Sequence, residues 1–269
     1  DRMDQNLIAV IVGIVEGLTE FLPVSSTGHM IIVGNLIGFT GDLADLFDVF
    51  VQLGAILSIV FIYKERFLRF FTKEGWQVGR GLSAWHIAVG IVPAMLAGFF
   101  FYKYIKLYLF SPLTVAIGLI LGALLLLYAE KTKGSINESL LQDIDKLTLK
   151  QALHIGLFQI LSLWPGFSRS GSTLAGGMLV GVSRDVAAQY TFLMAVPLML
   201  VACVYDLLKN LKALANGGDI VLAIGFMVAF ATAYGSVLWF LRFLKSSTLS
   251  AFAYYRIVLA GLVLLYFGL

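Results

Sequence analysis

The chain has one cysteine in 269 residues, so no disulfide framework can hold it together. That residue, Cys203, lies within an apolar run and reads as a buried, inert thiol. Charge is scarce too. Asp, Glu, Lys and Arg together make up 13% of the residues, against roughly 25% in soluble domains. No basic stripe with interleaved aromatics runs along the sequence, which excludes a nucleic-acid surface. Residues 1–6 lack the basic cluster of a signal peptide, so the first apolar run is expected to be mature structure.

What the chain has in abundance is apolar sequence: 59% hydrophobic residues and a mean hydropathy of +0.91. Apolar segments run over 7–22, 30–38, 46–63, 86–103, 112–129, 152–164, 174–181, 187–207, 219–241 and 250–269. Six of them (46–63, 86–103, 112–129, 187–207, 219–241 and 250–269) are long enough to cross about 30 Å of hydrocarbon. The pairs 7–22/30–38 and 152–164/174–181 are each broken by a Pro/Gly/Ser-rich turn. Each second arm spans only roughly 13 Å as a helix, which suggests re-entrant hairpins lining a cavity. The expected fold class is an all-α polytopic membrane protein.

The order of segments, a hairpin followed by three crossings, occurs twice. Gly13-Ile-Val-Glu16 reads against Gly156-Leu-Phe-Gln159, and Pro23-x-x-Ser26 against Pro165-x-x-Ser168 with one residue of slip. Three crossings per half is odd, so two inverted-topology repeats are expected, 1–131 and 150–269, joined by a cytoplasmic linker 132–149. Loops 64–85, 130–150, 182–186 and 242–249 carry twelve Lys and Arg residues, whereas the opposite side carries five (Arg2, Lys103, Lys106, Lys209 and Lys212). That asymmetry puts the first set in the cytoplasm and the mouth of the first hairpin outside.

Polar residues in the hairpins carry the chemistry. Glu16 and Glu20 are four apart, so a helix sets both carboxylates on one face. Two like charges that close must share a proton or hold a cation, and hard oxygen ligands suit Mg²⁺ or Ca²⁺. They could also act as base and acid. Ser25, Ser26, Thr27 and His29 follow Pro23. A serine hydroxyl there could attack with His29 as base, or His29 could itself attack or protonate a leaving oxygen. Ser26 or Thr27 is also the expected N-cap of the helix beginning near 30. In the second hairpin Ser168-Arg169-Ser170-Gly171-Ser172-Thr173 reads as an anion cradle, with Arg169 as the fork for phosphate oxygens. Arg169 could equally neutralise Glu16 and Glu20 as an ion pair that substrate displaces. Arg256 reads either as a support for this site or as a residue snorkelling to the interface. His86 and His154, at segment ends, read as interfacial hydrogen-bonding groups.

At these residues the chain resembles the undecaprenyl-diphosphate phosphatase family of the bacitracin-resistance type. Glu16-Gly-Leu-Thr-Glu20 fits the family's Glu/Gln-x-x-x-Glu motif, and Pro23-Val-Ser-Ser-Thr-Gly-His29 its hydroxyl-rich turn. Pro165-Gly-Phe-Ser-Arg-Ser-Gly-Ser-Thr173 fits its Pro-Gly-x-Ser-Arg-Ser-x-x-Thr motif. The resemblance implies a phosphatase that hydrolyses undecaprenyl diphosphate in the bacterial inner membrane, with a divalent cation and a site opening to the periplasm. It implies two inverted repeats, each with a re-entrant helical hairpin plus three transmembrane helices. Residue by residue it implies Glu16 and Glu20 as metal ligands or proton carriers, and Ser26 with His29 as nucleophile and base. Arg169 with Ser168, Ser170 and Thr173 would clamp the diphosphate, with Ser25, Thr27 and Gln159 as further substrate contacts. The partners implied are an isoprenoid lipid diphosphate and membrane lipids, and a homodimer is compatible with the sequence. The competing expectation from architecture alone is a flippase or transporter of a phosphorylated lipid.

Overall fold

Two turns with unusual backbone organise the molecule. In a computed structural model that describes residues 4–39, 42–133, 140–209 and 219–268, Ser25 has φ 68° and Ser168 has φ 72°. They are the only residues other than glycine with positive φ among those described. Each caps a short helix with its own hydroxyl. Ser25 Oγ accepts from Gly28 N at 3.5 Å, and Ser168 Oγ accepts from Gly171 N at 3.1 Å. The first cap is therefore Ser25 rather than Ser26 or Thr27, and the helix starts at Ser26 itself. Gly13, Glu16, Ser25 and Gly28 are spaced identically to Gly156, Gln159, Ser168 and Gly171. With Ser25 as the counterpart of Ser168 the capping serines fall into register, and the one-residue slip is confined to Pro23 and Pro165.

Around these turns the described residues form helices α1 (Gln5–Thr19), α2 (Ser26–Ile37), α3 (Asp42–Ile62), α4 (Lys64–Phe70), α5 (Ala84–Tyr108) and α6 (Pro112–Lys133). The second half contains α7 (Leu149–Gln159), α8 (Arg169–Leu179), α9 (Arg184–Lys209), α10 (Asp219–Leu244) and α11 (Ser250–Phe267). No strand occurs among the described residues; Leu141 and Val182 form an isolated parallel bridge. Helices α5, α6, α9, α10 and α11 are long and apolar enough to cross a membrane. α3 makes a sixth with α4, which breaks away from it by 86°. α1, α2, α7 and α8 have 15, 12, 11 and 11 residues, short of the roughly 20 that a crossing needs.

Small residues set which helices touch. A Cβ on Gly13 would come within 3.0 Å of the Gly225 carbonyl, and one on Gly17 within 2.8 Å of the Ala229 carbonyl. α1 therefore lies directly on α10, where a small-xxx-small face allows close backbone approach. Ser236 Oγ ties the pair by donating to Leu18 O at 3.2 Å. In the other half Gly156 of α7 lies on the backbone of Gly90 in α5. The first arm of each hairpin thus packs on a long helix from the opposite half.

Four charged loops meet at one end of the bundle. Arg66 donates both its terminal nitrogens to Asp145, at 2.8 and 3.2 Å, and Asp145 also accepts from Leu82 N at 2.9 Å. Arg184 pairs with Glu130 through Nε at 2.7 Å, and the same carboxylate accepts from Leu249 N at 2.7 Å. Ser83 and His86 form a capping box at the start of α5, and Thr148 with Gln151 does the same for α7. These are the loops that the charge count groups on one side. The middle of the linker 132–149, and Arg2 and Lys212, lie outside the described residues.

Candidate active site

The two hairpin turns face each other. Ser170 Oγ of α8 donates to Leu22 O of the first turn at 2.8 Å, fastening one to the other. Between them lies a cavity of about 280 Å³, lined by Glu20, Ser25, Ser26 and Thr27 from one side and by Ser168 and Arg169 from the other. Gln52 of α3 and Met199 of α9 close it.

Glu20 is the junction. Its Oε1 accepts from Arg169 Nη2 at 3.0 Å, and its Oε2 accepts from Ser26 Oγ at 2.6 Å. Both partners of the ion pair have side chains only 12% exposed, so the pair is largely removed from water. A buried guanidinium normally spends all of its N–H groups on acceptors. Here Nε and Nη1 of Arg169 have none, and the residue lines the cavity. The guanidinium also lies over the Phe21 ring, 5.9 Å from its centroid.

Glu16 lies one turn back on α1, buried, and its Oε1 has no hydrogen-bond partner. A buried carboxylate oxygen without a donor suits a hard cation, which makes this a position where a divalent metal fits the donor set. Among the described residues no group of three or more His, Cys, Asp or Glu side chains converges. Glu16 and Glu20 would therefore need phosphate oxygens and water to complete an Mg²⁺ or Ca²⁺ shell.

His29 sits elsewhere than the nucleophile–base expectation requires. Its Nδ1 donates to Ser25 O at 2.8 Å, and its Nε2 stands 2.6 Å from the Tyr255 hydroxyl. Because a carbonyl only accepts, Nδ1 carries a proton, and Nε2 of the neutral ring accepts from Tyr255. The imidazole stacks on Tyr255 at 5.5 Å and lines an apolar groove among α1, α10 and α11, not the polar cavity. The hydrogen-bond partner of Ser26 is Glu20, not His29.

Three further expected contacts lie off the cavity wall. Ser170 is committed to Leu22 O, as above. Thr173 Oγ1 donates to Arg169 O at 2.9 Å and accepts from Thr191 Oγ1 at 2.8 Å, so it braces the backbone of Arg169 from behind. Gln159 Nε2 donates to Gly90 O at 3.2 Å, at the α5–α7 contact. Ser170 and Thr173 turned inward because α8 presents only its N-terminal edge to the cavity. Gln159 is drawn to the Gly90 carbonyl by the glycine contact beside it.

Other residues hold the turns in shape. Arg256 is fully buried, and its Nη2 donates to Phe167 O at 2.6 Å and Gly166 O at 3.2 Å. It supports the turn that presents Ser168 and does not snorkel. Trp164 Nε1 donates to Thr114 O at 2.8 Å and pins the same turn to α6. Gly166, at φ 89°, lies against the Val115 carbonyl, where a side chain has no room. Gln52 is a wall residue that the sequence reading passed over. Its signal was there: one amide inside the apolar run 46–63. Cys203 is buried as expected, with its thiol 3.6 Å from Gln52 Oε1.

A polytopic helical protein with an acid, a hydroxyl and a guanidinium joined across a buried cavity belongs to the class of membrane proteins that handle anionic headgroups. The sequence profile described as "Bacitracin resistance protein BacA" matches residues 9–262, and the chain belongs to that family. Similar proteins include "Undecaprenyl-diphosphatase 1" of Bacillus cereus, 45% identical over 265 residues that cover 98% of this chain and 99% of that one. "Undecaprenyl-diphosphatase" of Maridesulfovibrio salexigens is 47% identical over 261 residues, 97% of this chain and 98% of that protein. "Undecaprenyl-diphosphatase 1" of Bacillus thuringiensis is 45% identical over 259 residues, 96% and 97% respectively.

Proposed function

We propose that the protein is a membrane phosphatase that hydrolyses undecaprenyl diphosphate to undecaprenyl phosphate and inorganic phosphate. The reaction would recycle the lipid carrier for cell-wall synthesis and confer bacitracin resistance. The observation that carries the reading is the continuous Ser26–Glu20–Arg169 contact on the wall of one cavity. The names of the three relatives point the same way. They do not favour the alternative of a flippase or anion transporter.

In this reading the diphosphate enters the cavity and meets Nε and Nη1 of Arg169, the two nitrogens that lack acceptors, while Nη2 stays on Glu20. Ser168 and Thr27 line the same wall and supply hydroxyls to the remaining oxygens. Ser26 Oγ attacks the terminal phosphorus, and its proton passes to Glu20 Oε2, which already accepts that hydrogen bond. The bond from phosphorus to the bridging oxygen breaks, and undecaprenyl phosphate leaves with the electron pair. Water then displaces phosphate from Ser26, which recovers its proton. Phosphoryl transfer depends mainly on positioning and charge neutralisation, which this small set of groups supplies. A divalent cation on Glu16 and Glu20 would add positive charge opposite the phosphate oxygens. His29 acts through Ser25 and Tyr255, as a positioning residue for the turn that carries Ser26.

The same reading includes the architecture. The matched spacing of Gly13, Glu16, Ser25 and Gly28 with their counterparts supports two inverted repeats, 1–131 and 150–269, joined by 132–149. The paired caps with positive φ and the short helices α1, α2, α7 and α8 support two re-entrant hairpins. The cluster of basic loops at the far end supports a cytoplasmic side there and a cavity that opens to the periplasm across the inner membrane.

The test is phosphate release from undecaprenyl diphosphate by the purified protein in detergent, with Mg²⁺ or Ca²⁺ and with a chelator. Release that the chelator suppresses is expected. A protein that releases none is a carrier or something else.

A further inference from the structure

Two apolar spaces flank the polar cavity, and only one adjoins it. A pocket of about 320 Å³ is bounded by Gly98, Tyr102 and Ile105 of α5, by Phe110 and by Leu163. It shares Thr27, Ser162 and Pro165 with the polar cavity, so the two adjoin across these side chains. The larger groove of about 670 Å³, beside His29 and Tyr255, shares no lining residue with that cavity.

We propose that the α5 pocket seats the first isoprene units of the substrate, and that Gly98 is the residue that keeps it open. This rests on the phosphatase reading and adds the place where the lipid tail leaves the headgroup. A Cβ on Gly98 would already reach Leu163 Cδ2 at 3.5 Å, so a longer side chain would fill the pocket. Gly98, Tyr102 and Ile105, four and then three residues apart on α5, present one face of that helix to the pocket. At the pocket wall the Lys106 ammonium lies over the Tyr102 ring, 5.4 Å from its centroid, near the end of α5 remote from the basic loops. The pocket therefore lies beside the headgroup cavity, with Lys106 at its rim.

A lipid tail gains little hydrophobic free energy by moving from hydrocarbon into protein. The pocket therefore acts by steering: it fixes where the terminal phosphorus rests relative to Ser26. Misplacement of about 1 Å can cost about a hundredfold in rate.

Farnesyl diphosphate carrying a diazirine on its first isoprene unit, photolysed with the full-length protein, reads the tail position directly. Label on residues 98–110 or Leu163 is expected, and label on residues 235–255 overturns the proposal. In parallel, Gly98→Leu is expected to lower kcat/KM for undecaprenyl diphosphate by at least about tenfold. Gly235→Leu is expected to leave it unchanged, because a side chain there enters open space in the other groove. The opposite pattern overturns the proposal. So does a Gly98→Leu loss that comes with a changed oligomeric mass, since α5 would then be a subunit contact. If the wild-type protein releases no phosphate yet is labelled on α5, the phosphatase reading falls and the tail site stands.

Discussion

Ser26 and Glu20, on either side of the first hairpin turn, share a 2.6 Å hydrogen bond in which the hydroxyl donates to carboxylate Oε2. The other oxygen of that carboxylate holds Arg169 from the second hairpin. One side chain therefore couples the hydroxyl proposed to attack to the guanidinium proposed to hold the anion. Ser26→Ala and Glu20→Gln are each expected to lower kcat about a thousandfold or more, and the double variant should be no slower than the worse single one. Substantial turnover by Ser26→Ala would assign the attack to water.

Arg169 uses one N–H on Glu20, and its Nε and Nη1, with three N–H bonds between them, have no acceptor. A lysine has the charge without the planar fork. Arg169→Lys is expected to lose about a hundredfold in kcat/KM, with KM rising and kcat falling together. A change confined to KM would reduce Arg169 to ground-state binding.

His29→Ala is expected to slow turnover about ten- to a hundredfold, by freeing the Ser25 carbonyl it holds. Asparagine can donate from nearly the position of Nδ1. His29→Asn should therefore recover most of the loss, and Tyr255→Phe should cost little. An asparagine variant as slow as the alanine one would give the imidazole a direct chemical role.

The unpartnered Oε1 of Glu16 makes cation binding measurable without turnover. Mg²⁺ or Ca²⁺ should raise the Tm of the wild-type protein in detergent and leave that of Glu16→Gln unchanged. Equal shifts in the two would take the cation away from this carboxylate.

At the opposite end, the Arg66 hydrogen bonds and the Leu82 N–H hold the Asp145 carboxyl below its usual range. A carboxyl with a depressed folded-state value stabilises the fold above the unfolded value of about 3.9. That contribution is lost as pH falls through the folded value. The pair is partly exposed, so the effect is small and screened by salt. Asp145→Asn should lower Tm at neutral pH and show a smaller further drop between about pH 5 and 3 than the wild type. Parallel curves would show that the ion pair is energetically silent.

The crossings were legible because about 20 apolar residues in a row have one use in a membrane. The short paired helices were legible because Pro, Gly and Ser interrupt runs too short to cross. That Glu20, Ser26 and Arg169 would find polar partners was legible because each lies in apolar surroundings. What could not be read was rotation. Whether Ser26 meets His29 or Glu20 depends on how α2 turns about its axis after the Ser25 cap, and a run of three hydroxyl residues does not say which one caps. Ser170 and Thr173 looked like ligands because their acceptors, Leu22 O and Arg169 O, are backbone atoms brought near only by the fold. Gln52 takes the wall position expected of Gln159 for the same reason: which amide faces the cavity is decided by helix packing, not by sequence neighbours.

The seat of α1 on α10 has a consequence for biogenesis. The ribosome releases the first helix long before the one that will shelter it exists, and chains emerge at about 5–20 residues per second. α1 must wait without the helix that packs most closely against it until most of the polypeptide has been made. A truncated product that ends within α9 would contain both acids and Arg169 and still lack the face that receives Gly13 and Gly17.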